Sequence, residues 1–111
     1  MGEIQKVAIV GAGTMGSGIA HVFARSGFPV VLCDVEQRFL DRALGSIRTN
    51  LGREAAKGKL AQAEIEPVLA RITTTVDRDR LRGAEFAIEA VVERFEVKAE
   101  IFRAQIGRAH V

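Results

Sequence analysis

The chain has 111 residues, 48% hydrophobic and 27% charged, the makeup of one globular domain able to bury a core. Sixteen basic against fourteen acidic residues leave +2 with no basic run, which excludes a dedicated nucleic-acid binder. No apolar stretch approaches the roughly eighteen residues of a membrane span, no signal-peptide cleavage pattern follows Met1, and the single Cys33 fits a reducing, cytoplasmic setting.

Lys6-Val7-Ala8-Ile9-Val10 is a short, β-branched, apolar run stopped by Gly11, the pattern of a strand buried on both faces of a parallel sheet. Met15 to Ser26 changes to helical spacing, with Ile19, Val22 and Phe23 on one face and Gly27 in the stop position. Pro29 to Asp34 reads as a second buried strand, its proline at the tolerated first position. Together these form one βαβ unit. Leu40, Leu44, Ile47, Leu51 and Ala55 then recur at steps of three and four, predicting a helix from Gln37 to about Lys57 that is roughly 30 Å long. Gly58 would stop it. A second helix of the pair is expected around Ala63–Ala70, with Pro67 either in its first turn or marking a later start. Ile72–Val76 reads as a third strand, Asp79–Arg82 as a single turn, and Phe86–Val91 as a fourth strand. Val97, Ile101 and Phe102 predict a closing helix, which would leave the far edge of the fourth strand open. The expected architecture is α/β: a partial, Rossmann-type parallel sheet of about four strands, with a long helix pair inserted after the second strand.

The chemistry is concentrated in Gly11-Ala12-Gly13-Thr14-Met15-Gly16, which matches G-x-G-x-x-G. Alone such a match is weak. Here it follows a strand, opens a helix, and is answered by Asp34 at the end of the next strand, eighteen residues past Gly16. Gly11 permits the tight turn, Gly13 admits a pyrophosphate close to the backbone, and Gly16 lets helix and strand pack closely. Amide groups around Thr14 to Gly16 would face the phosphates with the helix dipole behind them. Asp34 would accept from the adenosine ribose hydroxyls and repel a 2′-phosphate, so NAD is the expected cofactor; Arg38 is the one residue pointing the other way. The competing reading of the motif is a turn and cap with no ligand.

Val7 to His21 closely resembles the start of the 3-hydroxyacyl-CoA dehydrogenase family, particularly its bacterial 3-hydroxybutyryl-CoA dehydrogenases. Lys57-Gly58-Lys59-Leu60, Ala70-Arg71-Ile72-Thr73 and Glu89-Ala90-Val91-Val92-Glu93 with Lys98 extend the likeness from about Glu3 to Ala104. The resemblance implies that Gly11 to Gly16 and Asp34 hold the ADP half of NAD. It places Ala90 and Val91 near the nicotinamide ribose, and Glu93 and Lys98 among the NAD contacts. It assigns Asn50 and Lys57 to coenzyme A, although the family often carries serine at the first of these. Arg94 stands where asparagine is common. His21 reads as a packing or surface histidine, Cys33 as a small strand hydrophobe, and Arg78, Arg80 and Arg82, among Asp77 and Asp79, as a solvated face. No residue of this chain is assigned to catalysis or to a metal.

In the resembling enzymes the catalytic histidine–glutamate pair lies in a later segment, followed by a helical domain that forms much of the substrate cleft and the dimer interface. The expected organisation is therefore a partial NAD-binding domain over residues 1–105. The segment Ile106-Gly107-Arg108-Ala109-His110-Val111 is what ATC GGA AGA GCA CAC GTC encodes, an in-frame match to a common sequencing adapter whose next codon is a stop. It is expected to be a non-native tail. The activity implied is interconversion of short-chain (S)-3-hydroxyacyl-CoA and 3-ketoacyl-CoA by a homodimeric parent enzyme, the fragment itself being inactive. A related 3-hydroxy-acid or sugar-acid dehydrogenase, a slice of a multifunctional fatty-acid oxidation protein, and a non-catalytic nucleotide-binding module are the alternatives.

Overall fold

A computed structural model describes residues 6–91 and 96–101, with side chains over residues 6–90. The strands are β1 (Val7–Val10), β2 (Val30–Cys33), β3 (Ile72–Thr75), β4 (Phe86–Val91) and β5 (Glu96–Ile101). The helices are α1 (Thr14–Arg25), α2 (Gln37–Ala56) and α3 (Ile65–Ala70), and single 3-10 turns cover Gln62–Glu64 and Arg78–Leu81. The sheet order is β3-β2-β1-β4-β5. The first four strands are parallel, with Val7 opposite both Val30 and Phe86, and Val30 opposite Ile72. This is the doubly wound order, with β1 at the centre and the chain crossing over it between β3 and β4.

The sheet is covered unequally. Val7, Ile9, Val30, Leu32, Ile72 and Ile88 face one side, where α1 contributes Ala20 and Ala24, α2 Leu40, Ala43, Ile47 and Leu51, and α3 Ile65 and Val68. Leu32, Leu40 and Leu51 are fully buried, each contributing about 1.5–3 kcal/mol by leaving water. The opposite face carries Ala8, Val31, Cys33 and Ala87, covered by Leu81 and Ala84 around the second 3-10 turn. Small strand residues suit that shallow cover.

Two helix ends are closed by the same device. Gly27 takes φ +102° after α1, its N–H reaching the Ala24 carbonyl while Phe28 N–H reaches that of Phe23. The rings of Phe23 and Phe28 then meet edge to face at 5.7 Å, completing a Schellman closure. At the end of α2, Gly58 (φ +76°) bonds to Ala55 and Lys59 to Glu54 in the same pattern. Arg71 ties the helix pair back to the first unit, donating to the Ala24 carbonyl at 2.6 Å while its own carbonyl accepts from Val30 N–H.

The expected four parallel strands and the long helix stand as the sequence predicts. The closing helix does not. Glu96–Ile101 is a fifth strand, antiparallel to β4, with Phe86 opposite Ile101 and Glu89 opposite Lys98. Glu-Val-Lys-Ala-Glu-Ile alternates polar and apolar residues at the strand period. The unpaired backbone groups along β4 supply the ladder that decides between the two patterns. The edge expected to be open is thereby paired.

Candidate nucleotide-binding site

Gly11 leaves β1 with φ +106° and its N–H bonded to the Cys33 carbonyl of β2 at 2.8 Å. A Cβ there would lie 2.6 Å from the Ala90 carbonyl oxygen, so β4 presses directly on the turn. Gly16 is tighter still: a Cβ would stand 1.7 Å from the Gly11 carbonyl oxygen. Only glycine fits at either position. Gly13 is the exposed N-cap of α1, in extended conformation with φ −76°. Any residue adopts that backbone, so the case for glycine there rests on close approach of a ligand. The helix carries no side-chain cap and no acidic residue in its first turn. Its leading N–H groups, including those of Thr14, Met15 and Gly16, therefore lack intrahelical acceptors and point outward at the positive end of the dipole.

Asp34 is held in place before any ligand arrives. One carboxylate oxygen accepts from Ala12 N–H at 2.8 Å and the other from Val35 N–H at 2.6 Å. The first bond links the carboxylate to the glycine turn across β1 and β2. Each oxygen retains a lone pair for a hydroxyl donor.

These groups surround a cleft of about 800 Å³ at the carboxyl ends of the strands, the position where open α/β sheets bind ligands. Its walls include Gly11, Ala12, Gly13, Thr14, Asp34 and Ala90 among the expected residues. Met15 and Gly16 stand behind the wall: Gly16 is buried in the helix–strand contact and Met15 is half-buried. Val91 ends β4 and Lys98 lies on β5 opposite Glu89, both beyond the described side chains. Glu93, Arg94 and residues 106–111 lie outside the described residues.

Asn50 and Lys57 do not line the cleft. Both are exposed on α2, Lys57 as its C-cap, and the Asn50 amide oxygen accepts from Arg53 at 3.3 Å. They do share a helix stripe with Ser46, which lines the cleft, because steps of four and seven residues return to nearly the same direction. Along that stripe Lys57 stands about 16 Å beyond Ser46.

Several wall residues were not expected. Phe39, Arg42 and Ser46 come from α2, and Val76 and Arg78 from the segment after β3. Val35 and Val76 are large apolar side chains left 79% and 51% exposed, both on the cleft wall. Arg38, the residue expected to bear on the 2′ position, instead pairs with Glu36 at 2.6 Å and lies 5.0 Å from the Phe39 ring centre. Arg78 belongs to the wall, while Arg80 and Arg82 are exposed away from it, as the solvated-face reading expects. The signal available in advance was position: Arg42 lies in the second turn of the helix that follows Asp34, and Arg78 just beyond the adjacent strand.

Cys33 is buried, and burial raises its thiol above the ordinary value of 9.0, outweighing the lowering effect of Arg78. It is a protonated strand residue. His21 is structural: its Nε2 lies 3.3 Å from Glu54, which also takes Arg25 at 3.2 Å, joining α1 to α2 away from the cleft.

Compared with known proteins, residues 6–109 match the family described as 3-hydroxyacyl-CoA dehydrogenase, NAD binding domain. A probable 3-hydroxybutyryl-CoA dehydrogenase of Deinococcus radiodurans is 45% identical over 103 residues, covering 93% of this chain and 36% of the relative. A peroxisomal fatty acid beta-oxidation multifunctional protein of Arabidopsis thaliana is 37% identical over 100 residues, 90% of this chain and 14% of the relative. The crystal structure of (S)-3-hydroxybutyryl-CoA dehydrogenase from Ralstonia eutropha superposes with a TM-score of 0.77 at 37% identity, covering 80% of this chain and 31% of that one. The chain thus spans at most about a third of the length of these proteins.

Proposed function

From the premise that the chain belongs to the NAD-binding domain family of 3-hydroxyacyl-CoA dehydrogenases, we propose that it is the NAD-holding portion of an enzyme interconverting (S)-3-hydroxyacyl-CoA and 3-ketoacyl-CoA, with short acyl chains. The observation that carries the reading is the pairing of a turn whose Gly11 and Gly16 no larger residue can replace with an Asp34 carboxylate already fixed against it. When bound, NAD supplies the nicotinamide that accepts or returns the hydride. The N–H groups at the start of α1 would receive the pyrophosphate, and Asp34 the adenosine ribose hydroxyls. Ala90, at the carboxyl end of β4, would border the nicotinamide ribose, with Val91, Glu93 and Lys98 beyond it.

Among the described residues no histidine–carboxylate pair faces the cleft, since His21 and Glu54 sit on the α1–α2 contact. Following the family resemblance, we assign proton transfer at the 3-hydroxyl to a histidine–glutamate pair in a later segment of the parent enzyme. Asn50 and Lys57, exposed on the α2 stripe, are proposed to meet coenzyme A. A homodimer formed outside this chain and a cytoplasmic location complete the proposal; no helix among the described residues is long and apolar enough to cross a membrane.

Calorimetric titration of the 111-residue chain with NADH tests the reading. Saturable binding is expected, with no 3-ketoacyl-CoA formed from 3-hydroxybutyryl-CoA and NAD. A chain with native circular dichroism that binds no NADH refutes it.

A further inference from the structure

The outer half of the cleft carries two arginines, Arg42 and Arg78. Asp34 follows β2. The neighbouring strand β3 leads within three residues to Arg78, and α2, which begins three residues after Asp34, brings in Arg42. The other wall carboxylate, Glu89, belongs to β4, two strands from β2 and about 10 Å away at sheet spacing. Neither arginine has a carboxylate within ion-pair distance among the described residues; Glu36 is occupied by Arg38, and the Asp77 carboxylate accepts from Asp79 N–H. Arg42 makes a cation–π contact with Phe39, 5.9 Å from the ring centre. The field of Arg78 reaches the Cys33 thiol, one residue before Asp34, where it is opposed by those of Asp34 and Asp77. Two guanidinium groups without acid partners and one fixed carboxylate thus share the half of the cleft where the adenosine ribose would lie.

We infer that this half of the cleft is a latent 2′-phosphate site, in which Arg42 and Arg78 supply the binding charge and the Asp34 carboxylate alone excludes the ligand. The inference rests on the proposed nucleotide-binding function and adds its specificity. Guanidinium groups favour phosphate because their donors match its oxygens in geometry and charge. Asp34 opposes them because its two backbone hydrogen bonds prevent the carboxylate from turning away. It follows that removing one negative charge, with no positive charge added, suffices to admit the 2′-phosphate.

The test compares 2′,5′-ADP with 5′-AMP, which differ only by that phosphate, by calorimetry on the 111-residue chain. Asp34→Asn and Asp34→Ser both loosen the tie to Ala12, which weakens both ligands alike, so the ratio of their affinities is the readout. In either variant the ratio should shift toward 2′,5′-ADP by about tenfold or more, the scale of one charge-assisted hydrogen bond. Adding Arg42→Ala or Arg78→Ala should reverse most of the shift. An unchanged ratio in variants that still bind 5′-AMP overturns the inference while leaving nucleotide binding intact. So does a shift that survives loss of both arginines. Failure of the unmodified chain to bind 5′-AMP overturns the functional reading, and this inference with it.

Discussion

Replacing Gly16 by alanine adds one methyl group at the most confined point of the molecule. That methyl would lie 1.7 Å from the Gly11 carbonyl oxygen, whereas real Cβ atoms essentially never come within 3.0 Å of such an atom. The two must separate by about 1.3 Å. Gly11 has little room to yield, because its N–H is bonded to the Cys33 carbonyl and even a Cβ on it would lie 2.6 Å from the Ala90 carbonyl oxygen. Helix α1 must move instead, withdrawing Ala20 and Ala24, both fully buried, from the core. Overpacking of this kind costs about 3 kcal/mol or more. Gly18 provides the control two residues further along the same helix, exposed and with no atom within 4 Å of the place an added methyl would take. There alanine should stabilise by about 1 kcal/mol through helix propensity alone. The two variants should therefore differ by about 4 kcal/mol, close to a thousandfold in the folding equilibrium. Urea unfolding followed by far-ultraviolet circular dichroism measures this, since the chain has neither tryptophan nor tyrosine. Unfolding midpoints for Gly16→Ala and Gly18→Ala within about 1 kcal/mol of each other would refute the steric argument.

Leu51→Ala, at a fully buried position where α2 meets the core, should cost about 2–5 kcal/mol in the same assay. Glu54→Gln should weaken the contacts of α2 to His21 and Arg25; because the Glu54 side chain is 29% exposed, the loss should be about 1 kcal/mol at low salt and should shrink at about 1 M salt. Cys33 should react with a thiol reagent far more slowly in the folded chain than in urea, and equal rates would contradict its burial. Its raised pKa means the folded chain keeps the proton longer than the unfolded one. The corresponding stability is present in full below about pH 9 and declines as pH rises through the folded value; denaturation series across that range, compared with Cys33→Ala, isolate this contribution.

The four parallel strands and helices α1 and α2 are legible in the sequence because each carries one unambiguous period, from the apolar run of Val7–Val10 to the stripe of Leu40, Ile47 and Leu51. The glycine turn is legible for the same reason, with strand before it and helix after it. Residues 96–101 carry two periods at once. Val97 and Ile101 fit a helix face, while Val97, Ala99 and Ile101 fit a strand face, and only the neighbouring edge of β4 decides between them. The basic half of the cleft is hidden for a different reason. Asp77 and Asp79 flank Arg78 in sequence and make it look neutralised, yet the 3-10 turn directs the Asp77 carboxylate to a backbone amide and leaves Arg78 on the wall. Partners adjacent in sequence were not partners in space.

The order β3-β2-β1-β4 also makes the cleft a ruler. Arg78, Asp34 and the glycine turn follow β3, β2 and β1, and Ala90 stands near the end of β4, so these rungs sit on four neighbouring strands whose three gaps span about 14 Å. That span is set by backbone hydrogen bonding and does not change when side chains do. Substitution can alter what is read at each rung, as at Asp34, but not how far apart the rungs stand. The sheet therefore fixes the spacing along the cleft, and substitution changes only the charge and shape presented at each rung.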